Sequence, residues 1–234
     1  MWKSSNLKGE RAISYNLSAD YYAKKYQFSI NLFRTNLKDK IQFSPADDEV
    51  KKFGYSYQWE NVDDAYVQGV ELGAKANLFR NFNAGINWTF NQGKFKHERA
   101  DWSDPNDETV KEFPQRLQYA KDSRNISRFP AMTGDIDLDY TPGTWTFSLT
   151  SSLQGRMFID YNSEDDGATS KIKKTNTFMI FNCRAAKRFG TCTVYAGAKN
   201  IFSYIQDEKH TDDAAFMYAP VYGATWYVGL SVKL

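Results

Sequence analysis

Apolar residues recur at every second position along most of this 234-residue chain, over segments much longer than an ordinary β-strand. Successive side chains of a strand point to opposite faces, so a period of two gives one apolar face and one small or polar face. The stretch from Tyr222 to Leu234 shows the pattern best. Its apolar set is Tyr222, Ala224, Trp226, Val228, Leu230, Val232 and Leu234.

The same pattern predicts nine strands in the chain. Most of them reach the roughly 9 to 11 residues that a tilted strand needs to cross hydrocarbon, and they exceed the usual strand of about five or six residues. Strand length is therefore a first indication of a membrane protein. The predicted strands cover about 12–24, 26–42, 57–79, 82–96, 128–141, 144–160, 176–188, 191–206 and 219–234.

The connections between these strands alternate between short and long. This rhythm is typical of up-and-down outer-membrane barrels, which have tight periplasmic turns and long extracellular loops. Every short turn falls on the same side as Leu234. The short turns are predicted at 23–26, 79–82, 141–144 and 187–190, and the longer loops at about 43–56, 97–127, 161–175 and 207–218.

Aromatic residues lie beside the short turns, where a membrane barrel has a periplasmic girdle. Tyr26, Phe79, Phe82, Tyr140 and Trp145 are examples. A soluble β-sandwich would also alternate and would hold aromatics between its two sheets. It does not predict such long strands or the short–long rhythm. The sequence therefore favours an all-β fold, an antiparallel up-and-down transmembrane barrel.

Composition excludes several other classes. No run approaches the roughly 18 to 20 apolar residues of a membrane-spanning helix, and two cysteines are too few for a disulfide scaffold. The 30 Lys and Arg nearly balance the 28 Asp and Glu, so the chain lacks the basic excess that is typical of nucleic-acid-binding proteins. The residues after Met1 lack the apolar core of a secretory signal, which predicts either a cytoplasmic protein or a piece of a longer chain.

Motifs at several strand ends resemble those of TonB-dependent outer-membrane receptors. Gly9 stands where that family usually has proline, within a motif that otherwise matches the start of a mid-barrel strand. The matching runs are Asn6-Leu7-Lys8-Gly9-Glu10-Arg11, Asn31 to Ile41, Gln68-Gly69-Val70-Glu71 and Asn87-Trp88-Thr89-Phe90.

The last two strands carry the same resemblance. Residues 197–202 are similar to the family's penultimate strand, and residues 222–234 to the terminal strand that the barrel assembly machinery recognises. That terminal strand usually ends in Phe or Trp, whereas this chain ends in Leu. The resemblance marks Gly229, Val232 and Leu234 as an assembly signal.

This resemblance implies a barrel of roughly 22 strands with a plugged lumen, of which residues 1–234 would supply about the last nine strands. The plug domain, its TonB box and the earlier strands are expected to lie outside the chain. The intact receptor is expected in the Gram-negative outer membrane, in contact with lipid, where TonB would drive uptake of a scarce nutrient such as an iron–siderophore, haem or cobalamin. Neither enzymatic activity nor a resident cofactor is implied.

Ligand contacts are expected in the longest predicted loop, at Trp102, Arg116 and Tyr119, because such long loops are usually functional or disordered. The side chains predicted to face inward would form a solvated wall against plug and water rather than a substrate track. They include Asn83, Asn87, Thr89, Asn91, Glu71, Lys75, Asp135, Asp137, Asp139, Gln154 and Arg156.

The remaining reactive residues have ordinary interpretations. His97 and His210 are expected to be exposed loop histidines rather than haem or metal ligands. Cys183 and Cys192 share one face, and two lipid-facing thiols are favoured over a bridge whose geometry depends on the turn register.

Two alternatives to the receptor stay open at this stage. One is a small outer-membrane barrel enzyme with a catalytic cluster of Asp101, Asp104 and His97 at the loop side. The other is a soluble sandwich that binds carbohydrate on Trp59 and Trp102.

Overall fold

The computed structural model shows one large sheet built from long strands. It describes residues 2–3, 7–45, 48–55, 57–97, 124–126, 128–161, 171–206 and 218–233. The strands are β1 (Trp2–Lys3), β2 (Arg11–Tyr22), β3 (Tyr26–Pro45), β4 (Tyr57–Phe79), β5 (Phe82–Phe95), β6 (Met132–Tyr140), β7 (Trp145–Gln154), β8 (Phe158–Tyr161), β9 (Lys171–Lys174), β10 (Phe178–Phe189), β11 (Cys192–Lys199) and β12 (Thr225–Val232), and a single helical turn, α1, covers Asp48–Lys51.

The strand order of the large sheet is β12-β11-β10-β7-β6-β5-β4-β3-β2, and each strand runs antiparallel to its neighbours. The predicted up-and-down arrangement of nine long strands is thus confirmed. Strand β1 pairs in parallel with the loop-side end of β4, at Gln58 and Trp59. Among the described residues, β2 and β12 form the two edges and do not pair with each other.

Tight turns join the strands at one end of the sheet. Asn81 and Gly190 have φ angles of 66° and 60°, the left-handed region that two-residue hairpin turns require. Gly143 meets the same requirement in the turn that follows Pro142. These residue types adopt that conformation at little cost, which is why the short turns were readable from the sequence.

The loop-side ends of several strands differ from the prediction. Strand β6 begins at Met132 rather than 128, β11 ends at Lys199 rather than 206, and β12 begins at Thr225 rather than 219. The strand predicted to run to residue 160 stops at Gln154, and Gly155 after it still donates its N–H to the Met132 carbonyl at 2.7 Å. The chain then resumes as β8, which pairs with β9 in a separate two-stranded ribbon. Part of the loop predicted at 161–175 is therefore a strand.

One face of the sheet is apolar and uncovered. Leu32, Leu72 and Phe90 are 43%, 42% and 47% exposed, and no described element packs against them. From Phe82 to Phe90, the eight steps along a strand tilted by about 40° give an apolar band roughly 20 Å tall, close to that of a membrane barrel. A soluble protein rarely exposes so much contiguous apolar surface. We call this the outward face.

Aromatic rings form a belt where the outward face meets the short turns. Phe79 and Phe82 stack with centroids 4.8 Å apart, and the rings of Trp145 and Phe147 lie 5.6 Å apart. Tyr140 joins the two pairs. The aromatic belt predicted beside the short turns is thus confirmed.

Among the described residues, no helix is both long and apolar enough to cross a membrane.

Candidate functional site

The face opposite the apolar band is a continuous polar wall, which we call the inner wall. Ser18, Asn31, Glu71 and Thr89 lie side by side on β2 to β5. Further along the same face, Asp135 pairs with Ser152 across β6 and β7. The polar positions predicted to face inward on β4 to β7 occupy this wall because a period of two fixes the face of every residue of a strand once one is known. Arg156 lies beyond the end of β7.

Hydrogen bonds between neighbouring strands hold three inner-wall carboxylates. Asn31 Nδ2 donates to Glu71 Oε2 at 2.8 Å, and Asn87 Nδ2 donates to Asp135 Oδ2 at 2.7 Å. Ser148 Oγ donates to Asp139 Oδ1 at 2.6 Å. Each of these bonds uses one carboxylate oxygen, so the wall presents oriented acceptors to the space that it faces.

A second cluster lies at the loop side, beyond the apolar band. The backbone N–H of His97 donates to Asp63 Oδ2 at 2.7 Å, and the ring Nδ1 of His97 lies 3.0 Å from Asp63 Oδ1. Partial burial raises the pKa of Asp63, but these bonds and one from the Asp64 backbone N–H outweigh it, so the pKa falls below its ordinary value of 3.8. The pair fastens the end of β5 to β4.

An irregular stretch of β3 beside this pair is held by the segment before β2. The register shifts after Leu37, and Asp39 has a φ of 54°. Asn61 Nδ2 donates to the carbonyls of Asp39 and Lys8, at 2.6 and 3.0 Å. Arg11 forms an ion pair with Asp39 at 3.3 Å. A bulge of this kind bends the strand. Here the Asp39 carbonyl and carboxylate still have partners, in Asn61 and Arg11.

Four residues form an aromatic corner at the loop end of the inner wall: Met157, Phe178, Tyr204 and Tyr218. Phe178 and Tyr204 stack with centroids 4.9 Å apart, and Met157 and Tyr218 are buried against them. A depression of about 380 Å³ beside the corner is lined by Phe178, Tyr218 and polar groups of β6 and β7. Sequence reasoning missed this corner, because Phe178, Tyr204 and Tyr218 come from separate segments.

Buried amides lock the chain segments that build the corner. Asn200 Oδ1 accepts the Tyr204 N–H at 2.9 Å, and its Nδ2 donates to the carbonyls of Tyr204 and Tyr222 at 2.7 and 3.1 Å. Gln206 Oε1 accepts the N–H groups of Tyr218 and Ala219. The segments around residues 200–206 and 218–222 are therefore fixed to each other.

The predicted ligand contacts Trp102, Arg116 and Tyr119 lie outside the described residues, as do Asp101, Asp104, His210 and Leu234. Of the predicted assembly signal, Gly229 and Val232 lie on β12, at an edge of the sheet. Trp59 lies near the loop-side end of β4.

The three aspartates of β6 do not form a catalytic cluster with a histidine in the described part of the chain. Asp135 and Asp139 are occupied by Asn87 and Ser148, and His97 pairs with Asp63 instead. Within the described ranges, no group of three or more His, Cys, Asp or Glu side chains is placed to hold a metal ion.

Cys183 and Cys192 are free thiols on the outward face. Cys183 pairs with Leu149 and Ala198, whereas Cys192 pairs with Phe189 and Val232. The two thiols thus occupy different rows of the sheet, and the preference for lipid-facing thiols over a bridge is confirmed.

A long-stranded sheet with an apolar outer face, an aromatic girdle and a polar inner wall has the build of a membrane-barrel segment. A family model described as TonB dependent receptor-like, beta-barrel matches residues 3–201. The chain belongs to this family. The barrels of the TonB-dependent receptor family lie in the outer membrane, so the prediction of an outer-membrane protein is confirmed.

Solved structures named as transporters and receptors share the fold of this chain. The copper transporter OprC superposes with a TM-score of 0.65 at 20% identity, covering 97% of this chain and 32% of its own. The siderophore receptor PirA from Pseudomonas aeruginosa gives 0.60 at 17%, covering 97% and 30%. The FrpB iron transporter from Neisseria meningitidis gives 0.67 at 14%, covering 98% and 32%. The chain spans less than a third of these structures.

Proposed function

We propose that this chain is the C-terminal wall of a barrel that imports a scarce nutrient across the outer membrane. The polar inner wall behind the apolar outward face carries this proposal, because a lumen lined by oriented polar groups suits a hydrated, plugged transporter. The similar structures are named as transporters or receptors for copper, siderophores and iron. A metal chelate such as an iron–siderophore, haem or cobalamin is therefore the proposed ligand class.

The direction of the strands supports the proposal that other strands complete the barrel. Strands β2 and β12 both run from the loop side towards the short turns. Antiparallel closure therefore needs an odd number of additional strands between them, which agrees with an even total in a single-chain bacterial barrel. We infer that these strands and a plug come from the rest of the receptor, and that TonB acts through that plug.

Trp102, Arg116 and Tyr119 are proposed to contact the ligand at the extracellular side. The aromatic corner lies at the same end of the inner wall, where planar side chains can pack against a chelate that descends into the lumen. The terminal strand, with Gly229, Val232 and Leu234, is proposed to engage the barrel assembly machinery. None of these roles requires covalent chemistry by the protein.

Cellular uptake of radiolabelled metal chelates, supplied one at a time, tests the proposed transport. Deleting the receptor should abolish uptake of one radiolabelled chelate, and removing TonB from cells with the intact receptor should have the same effect. Uptake that continues unchanged in both strains would contradict the proposal.

Expression of residues 1–234 alone provides the matched control. This segment should give no TonB-dependent uptake, because the wall by itself neither closes a barrel nor contacts TonB. Restored growth on a chelated iron source would contradict the proposal that transport requires the additional strands and the plug.

A further inference from the structure

The short turns and the strand ends beside them form a rim that carries only positive side-chain charge, which we call the basic rim. It is made of residues 22–27, 78–82, 140–147, 187–195 and 231–233. These segments contain six Lys or Arg and no Asp or Glu. None of the six has a carboxylate partner among the described residues. The rim therefore presents uncompensated positive charge beside the aromatic belt.

Lys187 of the basic rim lies on the outward face, because it pairs with Trp145 of the aromatic belt across β7 and β10. Its Nζ lies 4.7 Å from the centroid of the Trp145 ring and 5.1 Å from that of the Phe189 ring. Cation–π contacts of this kind hold an ammonium group without neutralising it. Lys187 thus presents an ammonium group with three N–H donors at the boundary between hydrocarbon and water.

An apolar groove of about 580 Å³ begins at the next row of the outward face. In that row Ala185 pairs with Ala196, and the two alanines are flanked by Phe147 on β7 and Val228 on β12. The groove forms because the side chains in the middle are small and those on either side are large. Outward-facing side chains make up most of its lining, including Leu138, Phe147, Leu149, Cys183, Ala196 and Trp226.

The two ends of the groove differ in chemistry. Beyond Cys183, towards the loop side, the next outward position of β10 is Phe181, whose ring meets that of Phe202 edge-on with centroids 5.3 Å apart. Beyond Ala185, towards the short turns, the next outward position is Lys187. The groove and the lysine thus occupy consecutive rows of the same strand, so one amphiphilic molecule can contact both.

We propose that the outward face of β7, β10, β11 and β12 binds an anionic phospholipid from the leaflet on the short-turn side, with one acyl chain in the groove and the phosphate at Lys187. Charge complementarity selects the headgroup, because these four strands contain four basic residues and no Asp or Glu, and basic groups at a membrane surface attract anionic headgroups. The groove selects a lipid over a soluble anion, which would use the cations alone. This face lies opposite the inner wall, so the proposal is independent of the transported nutrient.

Photolabelling of the full chain, refolded in a nonionic detergent, tests this site with a phosphatidylglycerol that carries a diazirine in one acyl chain. Trypsin releases residues 189–199, which include Ala196 of the groove, and residues 12–24 from β2 as an internal reference. At low lipid concentration, label should accumulate in 189–199 over 12–24. In K187Q the lipid concentration that gives half-maximal label should rise about fivefold, since a basic residue near an anionic surface contributes roughly that factor.

Matched variants separate a site from general attraction to the rim. K24Q removes the same charge from the other side of the basic rim and should label like the parent. A196F fills the groove and should lower labelling of residues 189–199 several-fold, whereas A19F adds the same ring at an exposed outward position of β2 and should leave it unchanged. A diacylglycerol with the same diazirine chain, which lacks the phosphate, should not favour residues 189–199.

Four results would overturn the proposal. These are parental half-maximal labelling in K187Q, an equal shift in K24Q, equal labelling of residues 189–199 by the diacylglycerol, and loss of label on adding an equal concentration of inorganic phosphate, which would indicate a site for a soluble anion. Salt titration of the parent chain keeps the test decisive if K187Q does not refold. Raising NaCl from about 0.05 to about 0.5 M should raise the half-maximal lipid concentration several-fold, and a value independent of salt would refute a headgroup at Lys187.

Discussion

Single side chains decide how the loop-side end of this barrel segment is held. Asn200 lies just after β11 and is only 7% exposed. Its side-chain amide forms hydrogen bonds with three backbone groups that have no strand partner there. Asp63 likewise holds a separate segment in place, on β4 and so nearer the opposite edge of the sheet. It forms two hydrogen bonds with His97. Both residues act through the backbone of other segments, which makes their effects on stability measurable.

Asn200→Ala is expected to lower the free energy of unfolding by about 2 kcal/mol, because it leaves buried N–H and C=O groups without partners. Urea unfolding of the detergent-refolded chain, followed by tryptophan fluorescence, measures this change. Asn16→Ala, at an exposed inner-wall position on β2, is the matched control and should change it little. Equal stability of the two variants would contradict the structural role of Asn200.

Asp63→Ala is expected to speed exchange of the His97 amide proton about tenfold, because it removes a charge-assisted hydrogen bond. Because the pKa of Asp63 is lowered, this protection is fully present above its ordinary value of 3.8 and is lost as the pH falls through the lowered pKa. Hydrogen exchange at pH 7 and in acid measures both effects. Asp137→Ala, which removes an exposed inner-wall carboxylate, is the control and should leave exchange of the His97 amide proton unchanged. Slower or unchanged exchange in Asp63→Ala would contradict the proposed role of the Asp63–His97 pair.

Pairing between whole strands depends on aromatic rings that cover glycines. The ring of Tyr195 on β11 lies over Gly229 on β12, and that of Tyr227 lies over Gly197 in return. The two rings meet with centroids 6.3 Å apart, and the Arg184 guanidinium lies 4.6 Å from the centre of the Tyr195 ring. This interlock fixes the register of the last hairpin.

Gly229→Ala is therefore expected to impair assembly of the terminal hairpin, because an added Cβ would overlap the Tyr195 ring. With the substitution made in the intact receptor, the fraction of heat-modifiable, folded protein recovered from outer membranes measures the effect and should fall several-fold. Gly9→Ala is the control, since nothing lies within 4 Å of the Cβ that it adds. Normal assembly of Gly229→Ala would show that the interlock is dispensable.

The molecule as a whole reverses the usual distribution of polarity, with its apolar face outside and its polar face inside. A charged substitution should therefore cost far more stability on the outward face than on the inner wall. Depth in the membrane sets the size of the effect, since a charge near the middle of the band cannot reach water.

Leu72→Arg, in the apolar band, is expected to cost about 2–4 kcal/mol of stability in a lipid bilayer. Thr89→Arg lies on the neighbouring strand but faces inward beside Glu71, so it should cost much less. Reversible urea unfolding in phosphatidylcholine vesicles compares the two variants. Equal destabilisation would contradict the assignment of the faces.

The long two-faced strands, the short turns and the order of the sheet could be predicted from the sequence. Those features follow from local chemistry: alternation of side chains along a strand and left-handed residues such as Asn81 and Gly190 in the turns. Which polar groups meet could not be predicted in this way. Asn31 and Glu71 are 40 residues apart, and the aromatic corner joins separate segments of the chain. Such contacts depend on strand register and on how loops fold back, and no local pattern encodes them.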